Sequence, residues 1–268
     1  MERKIFKTDA LENEFREKGY VVIPLLEKEQ LKTLQEAFYD SKPSDQKGFH
    51  STSTNNNLEY RKSVNDLIQS IYYPLSQQYI EDYDPIYASF VVKEPGQEGN
   101  FPLHMDWSMV DERNYISLAF WSPLVDTNTN NGPLIVLEGS HQLGLSFRGG
   151  PFLFQALNDG KISSNKFKTQ TLFLKAGEVV IYDHRLFHGS LPNLTHDTRP
   201  ALNFTMKPKE AKLLHYHQNE NEIETHFVDK YFFNQYMMGD QPKDYLQTNF
   251  SCNDMLFLND QLIAKLVK

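Results

Sequence analysis

The chain has 268 residues, 40% of them hydrophobic, and carries a net charge of −8 with a single cysteine, Cys252. That length and apolar fraction allow a sizeable core, while the acidic balance and the lack of a Lys/Arg stripe argue against nucleic acid or an anionic membrane as partner. One cysteine excludes an intrachain disulfide framework, and no apolar run reaches transmembrane length.

The N-terminal Met1-Glu2-Arg3-Lys4 leads into charged residues without an apolar stretch, so no secretory signal is expected and a cytoplasmic protein is the reading. Residues Thr8 to Lys18 predict a helix carrying Phe15 and stopped by Gly19. Tyr20-Val21-Val22-Ile23-Pro24 then reads as a short buried strand ended by proline. Glu27 to Tyr39 places Leu31, Leu34 and Phe38 at helical spacing. Ser41 to Asn57 is polar and reads as a surface loop, inert or a lid. Ser63 to Ile80 predicts a helix with Leu67, Ile71 and Tyr72 inward, kinked or broken at Pro74. From Ile86 the texture changes to strands: Tyr87 to Lys93, Tyr115 to Pro123, Pro133 to Glu138, Thr169 to Lys175, Glu178 to Tyr182 and Ala201 to Lys207. Turn-forming residues separate them, notably Asp126 to Gly132. Short, closely spaced strands point to a sandwich or barrel. No linker or repeat divides the chain, so one domain over 1–268 is expected, with helices over 1–82, a β core over about 83–207 and an extension over 208–268. The tail after Pro208 has no assignable pattern.

The chemistry-bearing feature is His104-Met105-Asp106, followed by His188-Gly189-Ser190 and Arg199. Residues i and i+2 of a strand share a face, so His104 and Asp106 can look into one interior. His188 lies 82 positions beyond Asp106, a separation suited to a barrel that joins early and late strands. Two imidazoles and a carboxylate on one face of a metal, with other positions open, form the facial triad of non-haem Fe(II) oxygenases. Arg199 offers a fixed cation for the far carboxylate of a keto-acid co-substrate. A lone H-x-D is common by chance; the ordered combination is what carries the inference.

The same residues resemble the phytanoyl-CoA dioxygenase family of Fe(II)/2-oxoglutarate-dependent oxygenases. The resemblance runs from about Leu11 to Met206. It includes Gly19-Tyr20-Val21-Val22-Ile23, Pro95-Gly96 ahead of the H-x-D, Asn131-Gly132-Pro133-Leu134, Gly139-Ser140-His141, His188-Gly189-Ser190 with Asn193, and Arg199 eleven positions after His188. It implies a mainly β fold with flanking helices, a double-stranded β-helix (a jelly-roll, cupin-like barrel). It implies that His104, Asp106 and His188 hold iron, and that Arg199 and Ser190 bind the distal carboxylate of 2-oxoglutarate by charge-assisted hydrogen bonds. Dioxygen and a small-molecule substrate complete the implied set, with ascorbate as an accessory reductant. The expected reaction is hydroxylation of a C–H bond with release of succinate and CO2. The carboxylate at Asp106 favours oxidation over halogenation, which needs a small residue there.

Several alternatives stay open. The same site could epimerise, desaturate or cyclise its substrate. The barrel could be catalytically silent, or hold a metal for non-oxidative chemistry. His184, four before His188, shares its strand face if the strand continues. His141 reads as structural, and His215 and His217 as surface or lid residues. Trp107 and Trp121 fit either a cavity wall or ordinary core. Arg61, Lys62, Arg113 and Arg148 fall near loops and read as exposed charge. Asn193-Leu194-Thr195 matches a glycosylation pattern without a context for it. The substrate and the oligomeric state are not legible.

Overall fold

A computed structural model describes residues 3–41, 46–143, 148–150, 167–218, 222–236, 242, 245 and 247–251. In chain order the elements are α1 (Asp9–Lys18), β1 (Tyr20–Pro24), α2 (Lys28–Ser41), β2 (Phe49–Ser51), α3 (Leu58–Ser76), β3 (Tyr83–Lys93), β4 (Phe101–His104), β5 (Leu118–Pro123), β6 (Leu134–Leu137), β7 (Thr169–Leu172), β8 (Glu178–Asp183), β9 (His188–Ser190), β10 (Arg199–Pro208), β11 (Leu214–Gln218), β12 (Glu222–Phe227), α4 (Phe232–Gln235) and β13 (Gln247–Ser251). Cys252 and residues 42–45 of the polar loop lie outside the described residues.

Three antiparallel sheets form. The largest has the order β1-β8-β5-β10-β3-β2; a second runs β4-β9-β6-β7; a third joins β11-β12-β13. The first two face each other as the double-stranded β-helix expected from the resemblance.

Strand alternation divides the large sheet's two faces. Val21, Ile23, Phe90, Val92, Phe120, Ile181, Leu202 and Phe204 point outward into one apolar cluster with Phe15 of α1, Leu34 and Phe38 of α2, and Ile68 and Tyr72 of α3. Tyr20, Ala119, Trp121, Val180, Tyr182 and Ala201 point the other way, against Leu134, Val136 and Leu172 of the second sheet. Because both faces are covered, these strands read as near-continuous apolar runs.

The helices follow their caps. Thr8 accepts from Leu11 N–H to open α1, and Gly19, in the left-handed region at φ 85°, closes it. A Cβ on Gly19 would also lie 2.4 Å from the His141 ring, which packs there as a structural residue, its Nε2 3.2 Å from Arg16 O.

Two expectations change, those for the third helix and for the polar loop. The third helix starts at Leu58, capped by Asn57, and its buried line is Val64, Ile68 and Tyr72, with Leu67 and Ile71 at the flank. Pro74 falls in its last turn, two residues before the helix ends at Ser76, so it does not break the helix. The described part of the polar loop contains β2, paired with β3. Asn193 of the glycosylation pattern is fully buried and donates to Lys93 O and Asp197 O. Among the described residues no helix is long and apolar enough to cross a membrane.

Candidate metal centre and its cavity

His104 ends β4 and His188 begins β9, and the two are direct partners in the antiparallel register. Asp106 follows two residues after His104. One ligand atom from each of the three lies within 4.8 Å of the others, the one such group found among the described residues. Asp106 Oδ1 is 3.8 Å from His104 Nε2 and 3.7 Å from His188 Nε2.

Both rings are oriented by backbone carbonyls. His104 Nδ1 donates to Pro102 O at 2.9 Å and His188 Nδ1 to Leu186 O at 3.0 Å. With the proton on Nδ1, each Nε2 presents its lone pair to the cavity. Burial, followed by the charge of His188, lowers His104 to a pKa of about 4. Burial alone would raise the Asp106 carboxyl, but His188, His184 and His104 outweigh it and hold it below its usual range. Burial thus favours the neutral His104 imidazole, and the surrounding histidines favour the ionised Asp106 carboxylate, the forms in which each can bind a metal. Asp106 Oδ2 is buried without a hydrogen-bond partner among the described residues, so the donor set and its unmatched atom fit a divalent cation such as Fe(II).

The Asp106 backbone is held on both sides. Its N–H donates to His184 O at 3.0 Å, and Arg148 Nε donates to its carbonyl at 2.5 Å. Arg148 also makes two parallel bonds to Glu112, at 2.8 and 2.6 Å. This arginine is 1% exposed, not the surface charge that the sequence suggested. The glycine of His188-Gly189-Ser190 has a steric reason. A Cβ at Gly189 would sit 2.8 Å from Phe101 O and 3.0 Å from Pro102 C, where the β4–β9 register shifts between Phe101 and His104.

These residues open on a cavity of about 330 Å³ between the two main sheets. Arg199 and Ser190 border it together with the three candidate ligands. Arg199 is 1% exposed, its guanidinium 5.2 Å from the centre of the Trp121 ring. Its Nε and Nη1 have no partner among the described residues, and burial lowers its pKa to about 9. A buried guanidinium with open donors is a site prepared for an anion.

Other residues meet here that sequence reasoning did not single out. Tyr182, on the inner face of β8, places its hydroxyl 3.3 Å from His188 Nε2. Asn203 and Thr205 share the face of Arg199 on β10 and line the cavity with Tyr87 and Ser89 of β3. Alternation from Arg199 onward would have found the first two. Trp107 and Trp121 both line the cavity, as does His184. Strand β8 stops at Asp183, one residue before His184; His184 Nδ1 lies 2.9 Å from Ser117 Oγ and its Nε2 is unpartnered among the described residues.

Two further expectations are overturned. His215 and His217 are 0% and 4% exposed on β11, buried because the C-terminal segment packs over them. Arg61 is 6% exposed and donates to Asn55 O, Asn234 O and Gln235 O at 2.7, 2.9 and 3.1 Å. Arg113 is the exposed partner of Asp111, as expected of surface charge.

Comparison with known proteins adds to this geometry. A family model described as phytanoyl-CoA dioxygenase (PhyH) matches residues 15–201. Among solved structures, the non-heme alpha-ketoglutarate-dependent carbocyclase SnoK from nogalamycin biosynthesis is 18% identical. The alignment covers 77% of this chain and 86% of that one, with a TM-score of 0.56. EvdO2 from Micromonospora carbonacea var. aurantiaca, complexed with 2-oxoglutarate, is also 18% identical, covering 78% and 94% at a TM-score of 0.57. The epimerase SnoN, in complex with Fe3+, alpha-ketoglutarate and nogalamycin RO, is 18% identical, covering 76% and 85% at 0.57. At these identities the likeness is one of fold. No curated protein matches the sequence significantly.

Proposed function

This chain belongs to the phytanoyl-CoA dioxygenase family, and on that premise we propose that it is an Fe(II)- and 2-oxoglutarate-dependent oxygenase that hydroxylates a small molecule. The observation that carries the reading is Arg199, a buried guanidinium with unpartnered donors bordering the same cavity as the His104, Asp106 and His188 group.

In this reading His104, Asp106 and His188 would hold the metal, which would let dioxygen give one oxygen atom to 2-oxoglutarate, yielding succinate and CO2, and the other to a substrate C–H. Arg199 would pair with the distal carboxylate through its guanidinium, and the Ser190 hydroxyl would add a further donor. Trp121 holds the guanidinium from its face. Pro102 O and Leu186 O keep each imidazole aimed. Val91, Leu134 and Phe101 give the cavity an apolar lining that excludes water from the reacting centre.

A second reading keeps the site and changes the fate of the substrate. It is motivated by the likeness to a carbocyclase and an epimerase. Product mass separates the readings: hydroxylation adds one oxygen, ring closure or desaturation removes two hydrogens, and epimerisation leaves the mass unchanged.

The test is anaerobic addition of Fe(II) and 2-oxoglutarate to metal-free protein. The expected result is a visible charge-transfer band that disappears in His188→Ala. Folded protein that gives no band refutes the assignment.

A further inference from the structure

The cavity continues past the candidate metal group, and this outer half has a composition of its own. Asn203 lies four residues along β10 from Arg199 on the same face, about 13 Å further on at the usual strand rise. Its antiparallel partner is Ser89 of β3. Asn203 Nδ2 reaches Tyr87 Oη only at 3.5 Å, and its Oδ1 is buried with no partner among the described residues. Whichever way the amide is turned, one polar end is unmatched, and a ligand hydroxyl satisfies either orientation because it both donates and accepts. Ser51 Oγ, 3.2 Å from Ser89 Oγ and 2.8 Å from Ser53 Oγ, extends this polar edge.

Aromatic rings adjoin this polar edge, Tyr87 among them. Phe233 stacks on Tyr87 at 6.2 Å and 23°, and Tyr236 meets Trp107 at 5.9 Å and 73°. All four line the cavity. His215 backs the wall, 5.3 Å from Trp107 and 4.8 Å from Tyr236. Asn203, Phe233 and Tyr236 all fall beyond residue 201, where the family match ends.

Charge is scarce. Among the described residues lining the cavity, Asp106 and Arg199 are the only acidic or basic side chains apart from histidines, and the metal and the co-substrate claim both. A carboxylate or phosphate buried in the outer half would find no cationic partner among the described residues, which disfavours an anionic ligand there.

The wall is tied down from outside. Arg61 of α3 donates to Asn234 O and Gln235 O, beside Tyr236, and to Asn55 O, next to the cavity-lining Ser53 and Thr54. One buried guanidinium thus fixes both lips of the outer half.

We propose that the outer half is the subsite of the oxidised substrate, and that it takes a neutral ring compound bearing a hydroxyl, the ring against Phe233 and Tyr236 and the hydroxyl on Asn203. Arg61 is the positioning residue of that wall. The proposal rests on the metal and 2-oxoglutarate reading above and deepens it. Aromatic faces recognise rings by shape and area, and an unmatched amide penalises analogues that lack the hydroxyl.

The test uses the full chain with Zn(II) and 2-oxoglutarate, and saturation-transfer NMR with 4-ethylphenol, 4-ethyltoluene, 4-ethylbenzoate and octanoyl-CoA. The phenol is expected to bind about tenfold more tightly than the toluene or the benzoate. Asn203→Leu should erase the preference of phenol over toluene, and Phe233→Ala should weaken both. Arg61→Ala should lower phenol affinity by more than 2-oxoglutarate affinity, a split that general loss of structure would not give. Tighter binding of benzoate or octanoyl-CoA overturns the proposal. So does binding of none of the probes, or phenol binding indifferent to both Asn203→Leu and Phe233→Ala. The Fe(II)–2-oxoglutarate band reports separately on the underlying reading. A normal band with a failed probe pattern refutes the subsite alone, whereas selective phenol binding without the band refutes its assignment to an oxidised substrate.

Discussion

Lys93 and Arg199 are direct cross-strand partners on β3 and β10, both almost completely buried, and they differ in how their donors are used. The Lys93 ammonium is committed to three carbonyls, those of Gly99, Ser190 and Leu191. Arg199 Nε and Nη1 have no partner among the described residues. Of two adjacent buried cations, one is spent on backbone carbonyls and the other keeps the donors that the proposed co-substrate would use. Arg199→Ala should therefore raise the 2-oxoglutarate concentration needed for half-maximal band formation by about ten- to a hundredfold, the worth of a charge-assisted hydrogen bond. Fe(II) affinity should change far less. Unchanged co-substrate affinity in Arg199→Ala would remove the anchor assignment.

Gly189→Ala is expected to weaken metal binding about tenfold or more, although residue 189 is no ligand. The added methyl would meet the backbone of Phe101, Pro102 and Leu103 at 2.8 to 3.1 Å. Strand β9 must then move away from β4, and His188 with it from His104. Titration of Co(II) into wild type and variant measures the effect; equal affinities would show that β4 yields instead.

Arg148→Met should cost about 3–5 kcal/mol of stability, because Glu112 is left as a buried carboxylate without its partner. Its side chain is only 6% exposed. Adding Glu112→Leu should restore much of the loss. Urea midpoints of the two single variants and the double variant give the coupling, and additive losses would contradict it.

His215 supplies a pH dependence. Burial, then the charges of His217 and His226, lower its pKa from 6.5 to about 3. Between those values the unfolded chain binds the proton and the folded chain does not, so stability present above pH 6.5 is lost as pH falls toward 3. At pH 5 the loss from this one group is about 2 kcal/mol. His215→Phe keeps an aromatic ring against Trp107 and Tyr236 and should flatten the acid limb. Parallel urea curves at pH 7 and pH 5 test this, and an identical pH dependence in both proteins would count against it.

Legibility in the sequence followed the local signal. Strand β1 is found within its observed limits because Gly19 and Pro24 bracket it. Helix α1 is found because Thr8 and Gly19 cap it. The His104, Asp106, His188 and Arg199 set is visible because polar residues at fixed spacing stand out against strand-like flanks. Strand β9 is three residues long, too short for any period to show. In β11, residues 214 to 217 are buried on both faces, which removes the alternation that marks a half-exposed strand. The start of α3 was hidden by the run Asn55-Asn56-Asn57, any of which can cap a helix. Arg61 and Arg148 read as surface charge because their partners are backbone carbonyls and a glutamate far away in sequence, which composition cannot reveal.

The pairing of His104 with His188 also bears on how the chain reaches its native state. The two histidines are one rung of one ladder, yet four strands of the two main sheets, β5 to β8, lie between them in sequence. A metal can find both imidazoles only after that intervening chain has closed and β9 has docked, so affinity for the ion is itself a gauge of complete assembly. Early collapsed forms would bind it weakly, and the ion, once captured, would slow the reopening of this sheet more than it hastens its formation.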